Sequence, residues 1–205
     1  SEFAGHVSSG RTQAFDDAVL RWVADQRVPA LEPVALEITF LGTGTVVIAL
    51  VAVSGMFLWL SNHKYSAVLL LVSTVGGIVL NNLLKVGFGR PRPQIVDWGT
   101  HVVSWSFPSG HAMSAAVVYG TVAYLAARLQ RRQLHRVLTM CAAVVLILLI
   151  AASRVYLGVH YPSDVLAGII IGPILVAMLL AFIGIYRDYY LPGYDRKKAP
   201  TAPSP

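Results

Sequence analysis

Charge is scarce in this chain. Only 13% of its 205 residues are Asp, Glu, Lys or Arg, where a soluble domain carries about 25%. Hydrophobic residues make up 56% and the mean hydropathy is +0.63. That excludes an ordinary soluble domain and points to the membrane, at a length suited to one domain. Cysteine is all but absent. The single Cys141 lies inside an apolar run, so no intramolecular disulfide can form and cysteine says nothing of the compartment. Residues 1–37 lack the basic start and apolar core of a signal peptide. No glycine-rich nucleotide loop occurs either. The net charge of +6 would suit nucleic acid, but the basic segments are short and free of interleaved aromatics, which argues against that partner.

What is abundant is long apolar sequence. Five runs stand out, near 38–60, 66–84, 110–127, 137–152 and 165–186. A helix spanning a bilayer needs about 20 residues. Four of the runs fit; the fourth in order, 137–152, needs its flanks. The expected fold is therefore all-α, an integral-membrane bundle of five transmembrane helices. Gly76, Gly77, Gly168 and Gly172 should let helices approach closely, and Pro173 should kink the last span.

The basic residues fix an orientation. Lys64, Arg128, Arg131, Arg132, Arg136, Arg187, Arg196, Lys197 and Lys198 sit beside run ends that share one side if the five spans alternate. That side is expected to be cytoplasmic. Residues 1–37 and the loops 85–109 and 153–164 then face away from the cytoplasm. Within 1–37, Phe15, Val19, Trp22 and Val23 recur at helical spacing. They predict an amphipathic helix, lying on the membrane surface or packed on loops of the same chain. The expected organisation is an extracytoplasmic segment 1–37, a membrane-embedded domain 38–187, and a cytoplasmic tail 188–205 that is disordered at its end.

Chemistry concentrates in the two outward loops. Lys85 is followed after six residues by Arg92-Pro93. Pro108-Ser109-Gly110-His111 opens the third apolar run. Ser153-Arg154 precedes His160 and Asp164. Together these blocks supply three permanent cations, two histidines and a carboxylate. A transferring phosphoryl group spreads negative charge over its equatorial oxygens, so its catalyst must chiefly position it and stabilise that charge. Lys85, Arg92 and Arg154 suit the task, arginine through paired hydrogen bonds and lysine as a compact charge. Snorkelling to the interface is the alternative role for each. Arg90 is a second arginine beside Arg92, with headgroup binding as its simpler role. Ser109 and Gly110 open a helix whose free N–H groups would cradle phosphate, and Ser109 is expected to cap it. Pro162 favours a helix start, which leaves His160 in the turn and Asp164 in the first helical turn. Asp164 would then fix the tautomer of His160.

The order and spacing of these blocks resemble the type 2 phosphatidic-acid phosphatase superfamily, which includes bacterial lipid phosphatases and vanadium haloperoxidases. The resemblance spans residues 85–164. It implies that Arg92 is chosen over Arg90 for phosphate, that His160 forms a phosphohistidine, and that His111 protonates the leaving group. It implies no metal and no cofactor. It also implies a six-span pattern whose first span is missing here. The expected function is hydrolysis of a lipid phosphate or diphosphate of the phosphatidic acid, phosphatidylglycerol phosphate or polyprenyl diphosphate type, in a bacterial cell membrane. A lipid phosphotransferase and a non-catalytic lipid transporter on the same fold are the rivals. A zinc site at His111, His160 and Asp164 would be repelled by the cations. His6, His63, His101 and His135 fit none of the blocks, and Trp98 and Trp105 are expected to anchor the 85–109 loop.

Overall fold

A computed structural model describes residues 12–94 and 104–190. His6, His101, Trp98 and the end of the tail lie outside the described residues. Seven α-helices and a short 3-10 turn account for the described elements, with no strand among the described residues. Helix α1 is Gln13–Asp25. A turn at Pro29–Leu31 leads into α2, Glu32–Phe40. Then follow α3, Gly44–Leu60, and α4, Lys64–Phe88. The last three are α5, Gly110–Leu129, α6, Gln133–Tyr156, and α7, Pro162–Tyr190.

The helices α4 to α7 are each long and apolar enough to cross a membrane, and they cover four of the five expected spans. The first expected span, 38–60, is not one helix. It breaks between Phe40 and Gly44, and the segment Pro29–Phe40 meets α3 at a bend of 43°. The cause is local. Thr43 is extended and N-caps α3 by position, while its hydroxyl donates to the Phe40 carbonyl at 2.7 Å. Tyr119 donates to the Leu41 carbonyl at 2.7 Å, which ties the break to α5. Counted as one bent span, this pair brings the total to five.

Helix α5 is the centre of the bundle, packed against α3, α4, α6 and α7. Its Ala112, Met113, Ala115, Ala116, Val117 and Val118 are all buried. Small residues permit this. A Cβ on Gly168 would lie 2.9 Å from the Met113 nitrogen and 2.9 Å from the Ser109 oxygen, so α5 and α7 touch backbone to backbone there. Gly172 and Gly77 repeat the close approach against Ala116 and Val117. Gly76 meets only ordinary contact. Helix α7 runs through Pro173 without a break. The outward faces of α6 and α7 expose Val144, Leu148, Ile170 and Ile174, a surface suited to lipid rather than water. Cys141 is also exposed.

Helix α1 packs on the chain through Asp16 and Leu20, both buried. Val19 and Val23 line a cleft with Ala152, Val155, Tyr156 and Pro162. Phe15 and Trp22 remain 59% and 65% exposed, so only part of the expected apolar stripe is free for a membrane surface. The antiparallel run of α4 to α7 gathers the end of α4, the start of α5, the end of α6 and the start of α7 at one end of the bundle.

Candidate active site

His160 sits in the loop between α6 and α7, and Pro162 begins α7 as its first residue. Asp164 therefore falls in the first turn, as the Pro162 argument anticipated. His160 is 2% exposed. Its Nδ1 lies 3.5 Å from Asp164 Oδ2 and 3.4 Å from Ser106 Oγ. Both are long contacts, of the kind that tighten only when substrate binds. Ser106 itself donates a short hydrogen bond to Asp164 Oδ2, and the Tyr161 N–H donates to the same oxygen at 3.0 Å. On the other side of the ring, Arg92 Nη1 donates to Nε2 at 3.1 Å. An imidazole that accepts at Nε2 carries its proton on Nδ1, facing the carboxylate. Burial, opposed by the Asp164 contact and reinforced by the Arg92 and Arg154 charges, pushes the imidazole down to about 4. His160 is thus neutral near pH 7, with its Nε2 lone pair held by Arg92.

The cations converge on this point. Arg92 is held by the Ser104 carbonyl through Nε at 2.7 Å, by Ser104 Oγ through Nη2 at 2.9 Å, and by the Val159 carbonyl through Nη1 at 2.6 Å. Burial lowers its pKa, partly offset by Asp164. Lys85, in the last turn of α4, donates a short bond to the Trp105 carbonyl. Arg154, in the last turn of α6, is buried and donates through Nη1 to Thr39 Oγ1 at 2.7 Å. His111, next to Gly110 at the start of α5, lies in the combined field of Arg154, His160, Arg92 and Lys85.

Two of the motif residues have a buried polar atom without a partner among the described residues, Arg154 at Nε and Ser109 at its hydroxyl. Both groups are able to donate to an anion. Ser109 corrects one expectation. It occupies the N-cap position of α5, but its side chain makes no capping hydrogen bond. Its backbone N–H instead donates to the Asp164 carbonyl at 3.0 Å. Gly110, the first residue of α5, lies against Asn81, whose amide reaches the Pro108 carbonyl at 3.5 Å.

Arg90 corrects another. It is 8% exposed and turned away from headgroups, bonded to Asp164 Oδ1 at 2.6 Å and Asp16 Oδ2 at 2.7 Å. Burial alone would lower its pKa, but the hydrogen bonds and charges of Asp16 and Asp164 raise it. The sequence reading also missed Ser106, Thr39 and Asp16. The available signal for Asp16 was an acid placed three and four residues before the apolar Val19 and Leu20 on one helix face. His63 and His135 are exposed and far from these residues in the bundle, at the other helix ends. Among the described residues no three His, Cys, Asp or Glu side chains gather as a metal site.

Comparison with known proteins places the chain in a family. A family model described as the PAP2 superfamily matches residues 66–187. Phosphatidylglycerophosphatase B of Bacillus subtilis is 33% identical over 180 residues, covering 87% of this chain and 88% of the relative. Lipid A 1-phosphatase of Rhizobium etli is 34% identical over 119 residues, 52% of this chain and 47% of that protein. The crystal structure of a transmembrane PAP2-type phosphatidylglycerolphosphate phosphatase from Bacillus subtilis superposes with a TM-score of 0.83 at 31% identity. It covers 91% of this chain and 93% of its own.

Proposed function

The chain belongs to the PAP2 superfamily, is an integral membrane protein and is a phosphatase of lipid phosphates, and on that premise we propose that it hydrolyses phosphatidylglycerol phosphate through a phosphohistidine at His160. The observation that carries the mechanism is the pair of contacts on one ring, Arg92 at Nε2 and Asp164 toward Nδ1. A phosphate that takes over the Arg92 donors is brought to the lone pair of the nucleophile. Nε2 attacks phosphorus in line, and the bond from phosphorus to the glycerol oxygen breaks. His111 gives its proton to that oxygen, and the alcohol departs. Asp164, held by Ser106, Tyr161 and Arg90, stabilises the positive phosphoimidazolium. Lys85, Arg92, Arg154 and the start of α5 at Ser109 and Gly110 bind the equatorial oxygens. Water, deprotonated by His111, then attacks phosphorus, and the N–P bond breaks to release phosphate and restore neutral His160.

The choice of phosphatidylglycerol phosphate is supported by the likeness to phosphatidylglycerophosphatase B, which runs over most of both chains. The working leaflet is the extracytoplasmic one. In support, Lys64, Arg128, Arg132 and Arg136 lie at the helix ends opposite the site. Residues 1–37 then lie outside and 188–205 inside, around a membrane domain of 38–187. The test is phosphate release by the purified protein from phosphatidylglycerol phosphate, phosphatidic acid and undecaprenyl diphosphate, each with and without EDTA. Fastest turnover on phosphatidylglycerol phosphate, unaffected by EDTA, is expected. Preference for another lipid would overturn the substrate. Loss of activity on chelation, restored by a divalent ion, would overturn the metal-free mechanism.

A further inference from the structure

The N-terminal helix α1 sends one carboxylate into the bundle. Asp16 is 0% exposed, an unusual place for an acid, because a buried charge is costly unless paired and hydrogen-bonded. Here it is both. Its Oδ2 accepts from Arg90 Nη2 at 2.7 Å and from Ser163 Oγ at 2.6 Å. Its Oδ1 accepts from the Ser163 N–H at 3.0 Å, one of the free donors at the start of α7. Arg90 completes the set. Its Nη1 donates to Asp164 Oδ1 and Ser163 Oγ, its Nη2 to Gln13 at 3.0 Å, and its guanidinium stacks 4.1 Å over the Tyr161 ring. The chain of contacts runs Asp16, Arg90, Asp164, His160.

We infer that Asp16 is a positioning residue of the catalytic relay, neutralising Arg90 so that Asp164 presents an undiminished negative field to His160. The inference rests on the phosphohistidine reading above. The charge balance explains the need for it. Asp164 is oriented by Arg90, yet an uncompensated Arg90 would cancel the carboxylate charge that the phosphoimidazolium requires. His160 already feels Arg92 from the loop and Arg154 from α6, and lies beside His111 of α5, on which Lys85 of α4 also acts; Asp164 of α7 is the acid bonded to it. A fourth free cation would make the nucleophile less basic and the intermediate less stable. Asp16 removes that cation electrically while leaving its hydrogen bonds in place. It also holds the start of α7 through Ser163, so the turn that carries His160 and Asp164 is pinned to α1.

The experiment compares Asp16→Asn, Asp16→Glu and the double variant Asp16→Asn/Arg90→Gln with the wild type, using the whole protein in detergent. The readouts are kcat, KM and the pH dependence of kcat/KM on phosphatidylglycerol phosphate. Asp16→Asn keeps the shape and loses the charge. It should lower kcat by about 10–100-fold, the range for losing a charged hydrogen-bond partner, with KM within a few-fold. The acid limb of the pH profile should move to lower pH, because a lost negative charge disfavours the imidazolium. Asp16→Glu should recover much of the loss. The double variant, which removes both charges, should be more active than Asp16→Asn alone. A double variant no better than Asp16→Asn, or Asp16→Asn with wild-type kcat and an unmoved acid limb, would overturn the inference. So would equal losses in Asp16→Asn and Asp16→Glu, which would mean shape and not charge. A wild type inactive on every lipid phosphate would instead overturn the phosphatase reading and the relay with it.

Discussion

Alanine at Gly42 would put a methyl group where the bundle has no space for one. Gly42 lies in the break between α2 and α3. A Cβ built there falls 2.7 Å from Ile150 Cγ2, 3.0 Å from His111 Cδ2 and 3.3 Å from His111 Cβ. Carbon atoms rest about 3.5–4.0 Å apart, so the neighbours must give by roughly 0.5–1 Å. The backbone of the break cannot easily retreat, since Tyr119 holds the Leu41 carbonyl and Thr43 the Phe40 carbonyl. Ile150 is fully buried in the core. The His111 ring, at the edge of the site, is the part with room to yield. Overpacking of this kind costs about 1–3 kcal/mol of stability, and a reacting group displaced by about 1 Å can lose ~10²-fold in rate. Because His111 is proposed to protonate the leaving oxygen, the loss must depend on the leaving group. Turnover of phosphatidylglycerol phosphate by Gly42→Ala should fall about 10–100-fold. Turnover of p-nitrophenyl phosphate, whose leaving group needs no proton, should fall only a few-fold. Equal losses on both substrates would refute a loss through His111 as the leaving-group acid. Wild-type rates on both would refute the packing argument itself.

Other outcomes follow from the same geometry. Arg154→Lys keeps the charge but cannot hold Thr39 and grip phosphate in a planar fork together. Its kcat should drop ~10²–10³-fold, and an effect within a few-fold would show that charge alone matters. His160 is buried neutral with its pKa pushed from 6.5 to about 4, so the folded state binds fewer protons than the unfolded one between those values. Its contribution to stability is present above about 6.5 and lost as pH falls toward 4. Thermal unfolding in detergent should show that decline, and His160→Asn should reduce its slope; an unchanged slope would contradict the buried neutral histidine. With Cys141 replaced by serine, a cysteine at Gln94 should react with an impermeant thiol reagent outside intact cells, and one at Gln133 only after the membrane is opened. The reverse pattern would overturn the proposed leaflet.

Much of the bundle was legible because membrane spans announce themselves by length and apolarity, and the motif residues sit at their ends. The extension of 137–152 to a full span and the helix start at Pro162 both followed from local rules. The break at Leu41–Thr43 was less visible, since the Gly42-Thr43-Gly44 cluster that marks it is also tolerated inside membrane helices. The turn itself is local, capped by Thr43, but what holds it in place is tertiary, the Tyr119 bond to the Leu41 carbonyl and the close pass of Gly42 over His111. Asp16 and Ser106 were missed for a related reason. Asp16 meets Arg90 across 74 positions of sequence and Ser106 meets Asp164 across 58, and neither pairing has a spacing that a single chain reveals. The family resemblance had already set Arg92 apart from Arg90 for phosphate, but the role expected of Arg90, headgroup binding, gave no hint of its bonds to Asp164 and Asp16. That Arg90 backs the carboxylate is visible only in the packing.

The central claim is that His160 carries the phosphoryl group. Wild-type protein and His160→Ala would be mixed briefly with lipid labelled in its terminal phosphate, quenched in base, and the label bound to protein counted after acid and after alkali. Acid-labile, alkali-stable label on the wild type, absent from a folded and inactive His160→Ala, is the predicted result. Equal label on both proteins, or full turnover by His160→Ala, would contradict it.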